Sequence, residues 1–372
     1  MDATDKPWQT KLRMLPMKPI VIVCPPNTRF SADGASAIDL NVRDAYRFSR
    51  LKDHLHIIGP EVETPFEDVN FIPVPRAGVA DYAAAVLDKI NDIGPGLVEF
   101  RQHMRVAKRV ARGLKDTKTL VFRHRQLTGP KGRASRFFRT RRLRPFTHFT
   151  FVSHFAQETF AKDYPSLAHR SGVTWNGLDT EAVTYTPEAK EKIVVFAGRV
   201  IPNKGVLEFA EAAATVLTDF PDWRAIVIGE PDEEFSTYGE AVKLYLSPLK
   251  GRGEYWGYRS FAETMVASEK AEIVVVPSIL EETFGRTAME AMAGGAALIS
   301  SGRGGLKEVS GDHALYVDAI TPQTIGEALR MLIKKSNRRL KLQREGRKRA
   351  EDLFDIRKTV SAVDDVREKV MG

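Results

Sequence analysis

The stretch that decides the reading of this chain is ETFGRTAMEAMAGG, Glu282 to Gly295. It follows the apolar run Ile273-Val274-Val275-Val276-Pro277-Ser278. A buried strand, a loop and the first turns of a helix are expected in that order. Backbone N–H groups at such a helix start favour an anion. Glu282 and Glu290 stand eight positions apart, which at helical rise covers at most ~12 Å. Each carboxylate can accept two hydroxyl hydrogen bonds, and Gly285 lets a ligand approach the backbone closely. Phosphate donors flanked by hydroxyl acceptors describe a seat for a nucleotide-sugar.

A second constellation supports the first. In Phe196-Ala197-Gly198-Arg199-Val200-Ile201-Pro202-Asn203-Lys204-Gly205, a strand delivers Arg199 into a loop, and Lys204 precedes a helix. In an open α/β sheet the carboxyl edge is where ligands bind. Two cations there can neutralise the charge gathering on a departing diphosphate. No Asp-x-Asp pair occurs, so no metal and no cofactor are expected, and Arg199 and Lys204 stand in for a divalent ion.

Outward from these sites the chain alternates strand and helix. PIVIVC, Pro19 to Cys24, reads as the first strand, and a loop through Ser31-Ala32-Asp33-Gly34 leads to a helix near Ser36 to Leu51. Further strands are expected at His54–Ile58, Asn70–Val74, Leu97–Phe100, Thr119–Phe122 and Phe149–Val152, with helices at Ala80–Ile93 and Met104–Leu114. Thr184 to Lys192 reads as a linker. A second series follows: Ile193–Ala197, Val206–Phe220, Trp223–Ile228, Ala271–Val276, Arg286–Ala293, Ala297–Ser300, Ala314–Val317 and Thr324–Lys335. The tail from Arg338 to Met371 is rich in helix formers. Such alternation implies parallel sheets with crossover helices. A chain of 372 residues exceeds one ordinary core. The expectation is therefore two Rossmann-like domains, 1–183 and 184–355, with a terminal helix at 356–372 that returns to the first. A dinucleotide-dependent dehydrogenase is disfavoured, because Cys24-Pro25-Pro26-Asn27 stands where G-x-G-x-x-G is needed.

Composition narrows the rest. No apolar run approaches the ~20 residues that span a bilayer, and MDATDKPWQTKLRMLPMK lacks the apolar core of a secretion signal. A cytoplasmic protein is expected. The single cysteine, Cys24, excludes an internal disulfide and reads as a small core residue. A net charge of +8 favours anionic partners. KGRASRFFRTRRLR, Lys131 to Arg144, holds seven Lys or Arg around Phe137, Phe138 and Leu143 and no acid. It can rest on an anionic leaflet as a peripheral membrane contact, hold a phosphorylated lipid-linked saccharide, or be a solvated helix. No nucleic-acid module accompanies it.

Taken in order, Gly198-Arg199-x4-Lys204-Gly205, Gly229, Gly257-Tyr258, Pro277-Ser278, Glu282-x-Phe284-Gly285-x4-Glu290-Ala291-Met292-Ala293 and Gly304-Gly305-Leu306-x-Glu308 resemble the retaining glycosyltransferases of family 4, of GT-B fold. The resemblance is specific over Lys192 to Asp318. Val98-Glu99-Phe100-Arg101-Gln102-His103 and Val121-Phe122-Arg123-His124-Arg125 look like strands of the lipopolysaccharide-core branch. The resemblance implies an α/β GT-B fold, its two domains facing each other across a cleft, the first on the acceptor side. It implies hexosyl transfer from a UDP-, GDP- or ADP-sugar to a saccharide or glycolipid acceptor, with retained anomeric configuration. Arg199 and Lys204 would bind the diphosphate, and Glu290 the ribose hydroxyls. Glu282 and the backbone of Thr283, Phe284 and Gly285 would hold the sugar. Tyr258 would lie beside the base, Gly34 would face the sugar phosphate, and His124 would line the acceptor side. The arginines flanking His124 depart from the family pattern. Open alternatives are another GT-B enzyme, a phosphorylase or nucleotide-sugar epimerase, and a non-catalytic polyanion binder.

Overall fold

The computed structural model describes residues 17–32, 34–127 and 129–372. Nearly all of the amino-terminal stretch read for a secretion signal, and Asp33, lie outside the described residues. The chain divides into two compact units, and each centres on a parallel sheet with Rossmann-like connections.

The first unit runs through Phe151, takes Phe160–Gly172 and ends with Val360–Gly372. Its strands are β1 (Ile20–Val23), β2 (Leu55–Pro60), β3 (Phe71–Val74), β4 (Leu97–Arg101), β5 (Lys118–Arg123), β6 (His148–Phe151) and β7 (Ser171–Val173), in the order β3-β2-β1-β4-β5-β6-β7. Central β1 pairs in parallel with β2 and β4. Both its faces are covered, which is why it is a continuous apolar run with no polar alternation. Cys24, at its end, is buried as expected, and burial pushes its thiol well above the usual range. The helix Ala37–Arg47 starts at a capping box between Ser36 and Asp39. The helix expected over Met104–Leu114 ends at Val110, ahead of Gly113 and of Asp116, whose φ is 54°. The basic stretch forms the helix Gly132–Leu143.

A buried ionic knot fixes the chain terminus in this unit. Glu99 on β4 receives Arg101 and Arg367, and Arg367 also donates to Asp364 at 2.8 Å. Asp364 in turn accepts from the Ser49 hydroxyl and the Arg50 N–H. Arg101 lies over the Phe122 ring at 4.1 Å and donates to Asn41. Burial alone would raise the Glu99 pKa, but Arg101 and Arg367 outweigh it and hold the carboxyl below its ordinary range.

The second unit contains Val152–Thr159 and Val173–Thr359. Residues 184–192, read as linker, lie inside it. Its strands are β8 (Glu191–Ala197), β9 (Arg224–Ile228), β10 (Gly253–Gly257), β11 (Ala271–Val276), β12 (Ala297–Ser300) and β13 (Ala314–Tyr316), all parallel, in the order β10-β9-β8-β11-β12-β13. Val194, Phe196, Phe209, Val227, Ile273, Val275, Ile299 and Leu329 belong to its core. The basic tail is two helices, Ser336–Phe354 and Ile356–Met371. They break at Asp355, which has extended ψ and accepts from the Thr180 hydroxyl at 2.6 Å.

Removing one member of a buried ion pair leaves a charge without its partner. Arg367→Met should cost about 3–5 kcal/mol in urea unfolding. Arg50→Ala, which breaks exposed pairs with Asp365 and Glu368 and exposed hydrogen bonds to Ser361, should cost under about 1 kcal/mol. Because Glu99 titrates lower in the folded chain, its contribution is complete above its ordinary value of 4.5. It fades as pH falls through the lowered folded value. Equal losses for the two variants would show that the knot does not anchor the terminus.

Candidate functional site

The second sheet runs out at its carboxyl edge into three loops that glycines hold together. Gly205 has φ +68°, and a Cβ there would lie 2.3 Å from the Pro277 carbonyl oxygen. Only a residue without a side chain lets the loop after β8 close on the loop after β11. The Ile279 N–H donates to the Asn203 carbonyl at 2.8 Å across the same contact. The loop after β11 is clamped from its other side. The Gly305 N–H donates to the Glu282 carbonyl at 2.7 Å, and a Cβ on Gly305 would lie 2.5 Å from the Thr283 oxygen.

These clamps bring Lys204 to Glu282. The ammonium pairs with Glu282 Oε1, each side chain 24% exposed, and the Ser278 hydroxyl donates to the same oxygen at 2.6 Å. Thr283 keeps its carbonyl on the Ser153 hydroxyl. The Phe284 side chain is buried edge-on against Phe354, so only its backbone is available to a ligand. Gly285, with φ +110°, precedes the helix Arg286–Ala293 as its N-cap. The two expected cations do not act alone: Arg199 pairs with Asp232 at 2.8 Å and Lys204 with Glu282.

A cavity of about 440 Å³ lies at the carboxyl ends of β8 and β9. Arg199, Asp232, Tyr258, Thr287 and Glu290 are among its lining residues. Glu290 is largely buried and pairs with Arg286 one turn earlier, at 3.2 Å. Tyr258 is exposed. Arg199, Tyr258 and Glu290 therefore share one cavity, whereas Lys204 and Glu282 share an ion pair and are not among its lining residues. Asp232 and Arg286 went unread in the sequence. Arg286 and Glu290 stand four apart, a spacing that signals a helical ion pair. Asp232 sits in a loop with no such periodicity. Another cavity, about 500 Å³, is lined partly by Ile193, Ile226 and Val266. Its Arg224 is already held by Glu191 and Glu254.

Gly34 and His124 belong to the first unit. Gly34 has φ +85°, with the Arg29 side chain beside it. His124 follows β5, and its ring stacks on Phe122 at 5.0 Å between centroids. Its N–H and that of Arg125 both donate to the Gln102 side-chain oxygen, at 3.0 and 3.3 Å. His103, on the neighbouring turn, accepts the Val106 N–H through Nδ1. Burial and the charges of Arg105 and Arg123 depress its pKa.

Residues 180–349 match the family model described as glycosyl transferases group 1. The chain is 25% identical over 242 residues to the spore coat protein SA of Bacillus subtilis, covering 59% of this chain and 64% of that protein. It is 30% identical over 143 residues to the lipopolysaccharide 1,2-N-acetylglucosaminetransferase of Salmonella typhimurium, covering 37% and 35%. The matches thus span less than two thirds of these relatives. A glycosyltransferase structure from Rickettsia africae superposes with a TM-score of 0.79 at 16% identity, over 96% of this chain and 99% of that one. The α/β fold class of GT-B glycosyltransferases, with two Rossmann-like parallel-sheet domains, is borne out.

Gly305→Ala should push the 282–285 loop away and lower the melting temperature, because the added Cβ meets backbone atoms that cannot swing aside. Differential scanning calorimetry checks this; an unchanged transition would mean the clamp is loose.

Proposed function

We propose that this chain is a retaining, family 4 glycosyltransferase that moves a hexose from a nucleoside-diphosphate-sugar to a saccharide acceptor. The observation that carries the reading is the meeting of Lys204 and Glu282 at the carboxyl edge of the second sheet, the edge at which Arg199, Tyr258 and Glu290 line a cavity. Cations on one side and hydroxyl-accepting carboxylates on the other suit a ligand that is part diphosphate and part sugar. The match of residues 180–349 to glycosyl transferases group 1 supports the same class.

In this reading Glu290 takes the ribose hydroxyls. Tyr258 lies along the base. Glu282 and the backbone of 283–285 hold the sugar. Arg199 and Lys204 turn toward the diphosphate as the bond from C1 to the β-phosphate oxygen breaks, and no divalent ion is needed. Charge stabilisation of that kind supplies several kcal/mol. The acceptor hydroxyl adds to C1 on the face the diphosphate leaves, and its proton passes to the departing phosphate oxygen. Gly34 permits close approach of the sugar phosphate, and His124 lines the acceptor side.

The acceptor in this reading is a lipopolysaccharide core or a related glycolipid, met at the cytoplasmic membrane face. The relative named for a lipopolysaccharide sugar transfer supports it. So does the helix Gly132–Leu143, where Phe137 and Phe138 are 61% and 59% exposed among arginines. Such a surface suits an anionic leaflet at ~1 kcal/mol per cation. Among the described residues no helix is long and apolar enough to cross a membrane.

A melting screen against UDP-, GDP- and ADP-sugars tests the donor assignment. Ligand at ~100-fold its dissociation constant adds about 2.7 kcal/mol, and the correct base should stand out. Silence from all three would overturn the donor reading. With the donor identified, Lys204→Ala should lower kcat by roughly 100-fold or more. Glu290→Ala should chiefly raise the donor KM. Small, equal effects of both on turnover would refute the assigned roles.

A further inference from the structure

The pattern by which this chain resembles glycosyltransferases ends at Gly304-Gly305-Leu306-x-Glu308. Its two glycines press on the 282–285 loop: a Cβ on either would lie 2.5 Å from a backbone oxygen, that of Glu282 or that of Thr283. Glu308, one turn on in the helix Gly305–Ser310, has other partners. Its side chain is 17% exposed, and donors converge on it. The His154 N–H donates to the two carboxylate oxygens, at 3.0 and 2.8 Å, and the Phe155 N–H to Oε2 at 3.4 Å. The Trp175 indole N–H donates to Oε1 at 2.6 Å, and His154 Nδ1 lies 2.7 Å from the same oxygen. Burial alone would raise the Glu308 pKa. These bonds, first from the His154 backbone and then from Trp175, outweigh it and hold the carboxyl below its ordinary range. Glu308 is thus an anion at the start of the helix His154–Asp163, where backbone N–H groups favour one.

Both sets of partners lead to the 282–285 loop. Ser153, the residue before that helix, is buried; its hydroxyl donates to the Thr283 carbonyl and accepts the Ala156 N–H at 3.1 Å. The helix start that Glu308 holds therefore also holds Thr283. On the other side Trp175 meets Phe354 edge-on, with centroids 5.5 Å apart, and Phe354 meets Phe284 edge-on at 5.7 Å. Glu308 itself is fixed from behind, because Arg349 donates to the Glu308 carbonyl at 2.8 Å and to the Val309 carbonyl at 2.7 Å. All of these groups lie in the second unit. The next residue of the loop, Gly285, has φ +110°, and a glycine restrains its own backbone little. The path of 283–285 thus depends on what grips Thr283 and Phe284.

We infer that Glu308 is a positioning residue for sugar transfer: through Ser153, and through the row of rings Trp175, Phe354 and Phe284, it sets the backbone of residues 283–285. The part it plays in transfer rests on the glycosyltransferase reading; its hold on the loop does not. A group that fixes the sugar side of the site and leaves the nucleotide side alone affects the two parts of a donor unequally. General loss of stability would weaken both parts together.

Glu308→Gln keeps the shape of the side chain and removes its charge. In the ligand-free full chain, amide exchange read by mass spectrometry should show peptides spanning 282–285 exchanging at least about tenfold faster than in wild type, with β8 and β11 unchanged. Calorimetry then compares UDP with UDP-glucose, GDP with GDP-mannose and ADP with ADP-glucose. For the pair that wild type binds, Glu308→Gln should weaken the nucleotide-sugar by at least about tenfold and leave the nucleoside diphosphate unchanged. Ser153→Ala, which deletes one hydroxyl, should show the same imbalance to a smaller extent, and it carries the test if Glu308→Gln fails to fold. Unchanged exchange over 282–285 overturns the inference. Faster exchange with equal losses for nucleotide and nucleotide-sugar also overturns it, since Glu308 would then serve stability alone. Faster exchange in a protein whose wild type binds none of the six compounds would refute the glycosyltransferase reading and leave the hold of Glu308 on the loop standing.

Discussion

The candidate site depends on one ion pair. Lys204 and Glu282 come from loops 78 positions apart, and each is about three-quarters buried. An unpaired charge in that position would be costly, so neither loop keeps its path without the other. The pair closes only because Gly205 allows backbone against backbone behind it. Ser278 adds a third group to the same carboxylate oxygen and leaves the other oxygen free of that pair. A site arranged this way is organised before any ligand arrives, and electrostatic stabilisation of a leaving group requires that order.

The pairing also changes how the cations are understood. Taken singly, Arg199 and Lys204 are two positive charges aimed at a diphosphate. In the folded chain each already has an acid, Asp232 or Glu282. Under the proposed function a diphosphate would compete with carboxylates for them. A carboxylate freed from a lysine is a stronger acceptor for hydroxyls, so in that reading phosphate and sugar recognition would be coupled through one pair. A ligand with only one of the two parts would displace the pair without replacing both of its interactions.

How far the sequence was legible follows from burial and range. Strands β1, β8 and β11 were plain because covering both faces forces continuous apolar runs. Strand β7, Ser171-Gly172-Val173, has three half-buried residues and no apolar signature, and it went unread. The tail was legible as helical, but its break at Asp355 was not, since the cause lies in Thr180, far away in sequence. Arg199 with Lys204, and Glu282 with Glu290, stood out because each pair is carried by the spacing along a single strand–loop–helix unit. Asp232 did not, and neither did the knot of Glu99 with Arg367, whose members are 268 positions apart. No one-dimensional pattern encodes a pairing over that distance.

The two units handle positive charge by different means. In the second, the site cations and the buried arginines are matched to acids. In the first, Glu99 and Asp364 are spent on anchoring the terminus, and residues 101–144 have a single acid, Asp116, to set against their cations. Like charges three or four positions apart on one helix lower its stability, and the residues that the helix Gly132–Leu143 buries, Thr140 and Leu143, are not its arginines. The helix core could be kept with neutral side chains. An excess of cations in one segment favours anions near its surface, an effect that hydrophobic burial does not supply.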